Sequence, residues 1–75
     1  MRLEEFIELQ KSVNIGEEIS FEYKNDRYWI SQNPGKCYLT RVSDSYTQEF
    51  NSPKELFEKA TIDGRTLSEL YLELD

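Results

Sequence analysis

Histidine is absent from this chain of 75 residues, and cysteine and tryptophan occur once each. The first absence removes the commonest metal ligand and the commonest general base near neutral pH. A single thiol, Cys37, cannot close an internal disulfide, which fits a reducing compartment, the cytoplasm. Apolar runs stop at two or three residues, so no membrane span is expected. The opening "MRLEEFIEL" is acidic and lacks an apolar core segment, so no signal peptide is expected. Basic residues are in deficit: nine Lys and Arg stand against fifteen Asp and Glu, a net charge of −6. That sign argues against a general nucleic-acid binder, whose affinity comes from neutralising phosphates. It suits binding to a basic partner, or mimicry of nucleic acid.

What is present points to one small folded domain, residues 1–75. Ten aromatics, four Phe, five Tyr and one Trp, provide the bulk that so short a chain needs for a core. The charge is unevenly placed. Residues 23–43 carry Lys24, Arg27, Lys36 and Arg41 against Asp26, while residues 44–75 carry eight acids against three bases.

Residues 3–12, "LEEFIELQKS", predict an amphipathic helix with Leu3, Phe6 and Ile7 on its buried face. Gly16 ends it. Residues 18–24, "EISFEYK", alternate apolar and polar, the mark of a half-buried strand. Asn25-Asp26 is the predicted turn, which sets Phe21 opposite Ile30 and Tyr23 opposite Tyr28. "NPGK" at 33–36 has Pro and Gly where a type II turn needs them, and places Ile30 opposite Leu39. Asp44-Ser45 is the third turn, with Phe50 opposite Leu39. The inner face then collects Ile19, Phe21, Tyr23, Tyr28, Ile30, Cys37, Leu39 and Phe50. "SPKE" at 52–55 reads as a capping box opening a helix with Leu56, Phe57 and Ala60 buried. "TLSE" at 66–69 opens a last helix with the stripe Leu67, Leu70, Tyr71 and Leu74. The predicted order is α-β-β-β-β-α-α. It is a two-layer α+β fold: a four-stranded antiparallel meander with one N-terminal and two C-terminal helices packed on it.

The outer sheet face is left with Glu22, Arg27, Trp29, Tyr38, Val42 and Glu49 among Ser and Thr. A free sheet face is normally polar, so aromatics there mark a contact patch. The same pair could instead brace adjacent strands. A second candidate surface is acidic: Glu55, Glu58, Asp63, Glu69 and Glu73 on the last two helices and their connection, although each also suits a capping or solvating role. Cys37 falls on the inner face with no His to activate it, so it reads as a structural thiol. "IDGR" lacks the alternating oxygen ligands of a calcium loop. No catalytic residue, metal site or cofactor is predicted.

The run "FEYKNDRYWI…PGKCYLTR…QEFNSPKELFEKATIDGRTLSELYLEL", roughly residues 18–74, resembles small uncharacterised proteins of Firmicutes and their mobile elements. The turns and caps that carry this likeness are structural, and no activity comes with it. In size, acidity and lack of catalytic residues the chain is also similar to phage inhibitors of nucleic-acid enzymes, such as anti-CRISPR proteins, with no shared motif. Together these readings predict a non-enzymatic, cytoplasmic protein-binding module. It would occupy a surface of a larger partner, such as a basic nucleic-acid-binding protein. The alternatives are single-stranded nucleic-acid binding on the aromatic and basic sheet face, or a homodimer with the aromatic faces packed together.

Overall fold

The computed structural model describes residues 1–75. It begins with helix α1, Leu3–Asn14, followed by strands β1, Ile19–Tyr23, β2, Asp26–Asn33, β3, Lys36–Arg41, and β4, Tyr46–Phe50. Helix α2, Pro53–Lys59, comes next. A two-residue hairpin, β5 (Thr61–Ile62) and β6 (Arg65–Thr66), leads into α3, Leu67–Leu70, and a 3-10 turn, Tyr71–Glu73. The four long strands form an antiparallel meander in the order β1-β2-β3-β4. α1 lies against β1, and α2 against β3, β4 and α1. The α+β architecture is therefore the one that the alternation and the caps predict, with β5–β6 added. No helix is long and apolar enough to cross a membrane.

α1 runs two residues past its predicted end, and its buried stripe differs. Phe6, Leu9 and Val13 are buried, while Leu3 and Ile7 remain exposed. Both stripes satisfy helical spacing, and the docking partner decides between them. Phe6 stacks on Tyr71 at 4.9 Å and meets Phe57 edge-on at 6.0 Å. Gln32 on β2 donates to the carbonyls of Val13 (2.7 Å) and Glu17 (3.1 Å), fixing the end of α1 to the sheet.

The inner sheet face is as the alternation predicts. Phe21, Tyr23, Tyr28, Ile30, Cys37 and Leu39 are buried, and Ile19 and Phe50 pack against them half-buried. Two registers are corrected. β1–β2 turns on Lys24-Asn25, both at positive φ (49° and 66°), so Phe21 faces Tyr28 and Ile19 faces Ile30. β3–β4 turns through four residues, so Phe50 faces Cys37, and Gln48 faces Leu39. Arg41 grips Asp44 through two bonds (3.0 and 2.8 Å), and Asp44 accepts from the Tyr46 amide. Those contacts hold the wider loop. The β2–β3 register on Pro34-Gly35, with Ile30 opposite Leu39, is as predicted.

Ser52 caps α2 by accepting from the Glu55 amide at 3.1 Å; the Glu55 carboxylate makes no return bond, so only half of the predicted box forms. Leu56, Phe57 and Ala60 are buried as predicted. The final helix is shorter than its stripe suggests. Leu67, Leu70 and Leu74 are buried, and Tyr71 is half-buried against Phe6. The segment 61–66, expected to be a plain connector, pairs with itself around Asp63-Gly64, both at positive φ.

Candidate functional site

The outer face of the meander is built from the residues left over when the core is filled. Pleating turns every second side chain outward. The central row across the four strands runs Ser20, Trp29, Thr40, Thr47. One flanking row is Ser31, Tyr38, Glu49, and the other begins with Glu22 and Arg27. Val42 lies beside that second row, at the start of the β3–β4 turn, where its amide still donates to Arg27.

Trp29 stands at the centre of this face and is 40% exposed. Tyr38 is half-buried and diagonal to it rather than directly opposite. The ring pairs of the fold, Phe6–Phe57, Phe6–Tyr71 and Phe21–Tyr28, lie among core residues and their margin. Trp29 and Tyr38 form no ring pair, and the residue directly opposite Trp29 on β3 is Thr40. Val42 adds a second large apolar group, 48% exposed. Thr40 and Thr47 share a hydroxyl hydrogen bond at 3.0 Å beside it.

The charges around this patch are paired. Arg27 meets Glu22 at 3.1 Å, and Lys36 meets Glu49 at 3.5 Å. Such exposed pairs contribute little to stability. They do leave the rim of the face close to neutral, and they occupy two of the bases that a phosphate backbone would need. Arg41, a third base of this segment, holds Asp44 instead. The structure thus gathers all six residues predicted for the face: Trp29, Tyr38 and Val42 within it, Arg27, Glu22 and Glu49 as its paired border.

The acidic candidates do not form one surface. Asp63 accepts from the Tyr23 hydroxyl (3.2 Å) and from Lys24 (3.3 Å). Glu73 pairs with Arg65 at 2.9 Å, and this holds its carboxyl below the usual range. Glu69 accepts from the amide and hydroxyl of Thr66, which lowers its pKa likewise. Glu55 and Glu58 on α2 are left without a bonded partner. Glu58 borders a shallow groove of about 870 Å³ between the helices, with Gln10, Asn14, Lys54, Phe57, Thr66 and Ser68. The sequence gives no sign of this groove, whose lining residues, polar apart from Phe57, come from α1, α2 and the junction of β6 with α3. No hydrophobic stripe or motif announces it.

Cys37 is 2% exposed, and burial pushes its thiol up, towards the protonated and unreactive form. No three His, Cys, Asp or Glu side chains converge as a metal site. No family model matches the chain, and neither a curated protein nor a solved structure matches it.

Proposed function

We propose that this chain is a non-enzymatic protein-binding module that meets its partner with the outer face of the four-stranded sheet. The carrying observation is Trp29, 40% exposed at the centre of a face on which neither α1 nor α2 packs. An aromatic centre inside a polar, charge-paired border has the anatomy of a protein interface. Binding energy in such interfaces concentrates in Trp, Tyr and Arg, all three of which are here. The net charge of −6 steers the module towards a basic partner, such as a protein that handles nucleic acid. A buried free thiol suits a reducing compartment, the cytoplasm.

The test is a paired capture. Immobilised wild-type chain and Trp29→Ala are presented to the same cell extract, with Glu55→Gln/Glu58→Gln as the control for the helical face. A partner held by the wild type and the control, but lost by Trp29→Ala, supports the reading. Purified, it should bind Trp29→Ala more weakly by over about 1 kcal/mol. A partner kept by Trp29→Ala and lost by the α2 variant moves the site to the helices.

A further inference from the structure

The two edges of the sheet are finished differently. At the β1 edge, Asp75 exchanges two backbone hydrogen bonds with Glu22, each 2.9 Å. At the β4 edge nothing corresponds: none of the backbone bonds outside the regular elements involves residues 46–50. An open edge invites pairing, and proteins usually blunt it with Pro, Lys or a bulge. β4, "YTQEF", carries no Pro and no Lys, and it pairs with β3 without a bulge.

The identity of the free groups follows from antiparallel alternation. Val42 donates to Arg27, so the even residues of β3 bond to β2 and the odd ones bond to β4. Their partners on β4 are Tyr46, Gln48 and Phe50. Thr47 and Glu49 therefore aim their amides and carbonyls outward, four free groups in all. Gln48 is already engaged on its inner side. Its side-chain Nε2 donates to the Thr61 carbonyl (2.8 Å) and its Oε1 accepts from the Thr61 backbone amide (3.1 Å).

We propose that β4 pairs with β4 of a second copy, antiparallel about a two-fold axis at Gln48, joining the two meanders into one eight-stranded sheet. This goes beyond the partner-binding reading and does not depend on it. The register selects itself. An axis at Glu49 would set two carboxylates opposite each other, which is unfavourable. An axis at Thr47 would pair Glu49 with Ser45, a turn residue at φ 60°. An axis at Gln48 sets Thr47 opposite Glu49 of the partner subunit and satisfies all four free groups on each copy. Tyr46, 58% exposed, then faces Phe50 of the partner subunit at a non-hydrogen-bonded site, where side chains approach closest. The interface is isologous, as a two-fold dimer requires. It leaves Trp29 in water.

Sedimentation and amide hydrogen exchange on the wild-type chain over a dilution series test this. The expected result is a monomer–dimer equilibrium in which the Thr47 and Glu49 amides gain protection with concentration, while Gln48 does not change. Thr47→Pro removes an N–H that the monomer does not use, and should raise the dissociation constant roughly tenfold or more. Thr47→Glu should weaken the dimer, and Thr47→Lys, beside Glu49 of the partner subunit, should tighten it. A chain that stays monomeric up to about 1 mM overturns the proposal. So does a dimer that leaves the Thr47 and Glu49 amides unprotected, or one to which Thr47→Glu and Thr47→Lys do the same thing.

Discussion

Glu22 and Asp75, 53 positions apart, exchange both of their backbone hydrogen bonds at 2.9 Å, so Asp75 acts as a one-residue strand on the outer edge of β1. Its neighbour Leu74 is 1% exposed, and its carbonyl accepts from the Met1 amine. The segment after α3 thus closes one edge of the sheet and seals one end of the core.

Leu74→Ala should therefore cost about 2–5 kcal/mol, the usual range for emptying a buried leucine site. Urea unfolding measures this, and hydrogen exchange at Glu22 should rise in the same variant. A cost below 1 kcal/mol would mean that this segment does not seal the core.

Tyr23 is 3% exposed, yet its hydroxyl donates to Asp63 and accepts from Arg65, each at 3.2 Å. It joins the β1–β2 turn to the β5–β6 hairpin. Tyr23→Phe keeps the ring and removes the hydroxyl, and should cost about 1 kcal/mol. Asp63→Gly, which removes the carboxylate and suits the φ of 54°, should cost a similar amount, and the double variant less than the sum, because both changes break the same bond.

Asn25 stands at φ 66° in the β1–β2 turn, a conformation that costs an L residue more than glycine. Asn25→Gly should raise stability by about 0.5–1 kcal/mol, measured as a higher unfolding midpoint with unchanged slope. A midpoint that stays the same or falls in Asn25→Gly would contradict the positive φ at residue 25.

Three carboxyls titrate lower in the folded chain than in the unfolded one. Asp44 is brought down to about 2 by the Arg41 guanidinium and the Tyr46 amide. Glu69 is lowered by the Thr66 amide and hydroxyl, and Glu73 by Arg65, from an ordinary value of 4.5. A depressed pKa contributes stability that is complete above the unfolded value and lost as pH falls through the folded one. Stability should hold down to about pH 4.5 and decline towards pH 2. Asp44→Asn should flatten the lower part of that decline. An acid limb unchanged by Asp44→Asn would contradict the pairing with Arg41.

The faces of the sheet were legible in the sequence; the registers were only partly so, and the reason is geometric. Alternation assigns each residue to a face, and a two-residue slip changes no assignment. Phe21 points inward whether it faces Ile30 or Tyr28. Only turn chemistry separates such registers. Pro34-Gly35 declared its turn, whereas Lys24 and Ser45 take positive φ without any residue-type signal. The β5–β6 hairpin, two residues a side, is too short for alternation to show at all. On α1, five apolar residues offered more than one stripe, and only the positions of Tyr71, Phe57 and Gln32 selected Phe6, Leu9 and Val13. Which residues share the outer sheet face needed nothing beyond parity and so was readable. The dispersal of the acids was not, because Asp63, Glu69 and Glu73 are engaged by bonds within the β5–β6 and α3 region and its contacts with β1.

If the outer sheet face is open to a partner, as proposed, Trp29, the only Trp, reports on it directly. Its emission and acrylamide quenching should be recorded over a dilution series. An open face gives a red-shifted, readily quenched signal that does not change with concentration, since pairing along β4 leaves the face uncovered. A blue-shifted, protected signal would contradict it. If that protection faded on dilution, a second copy would be covering the face; if it persisted, part of the same chain would be.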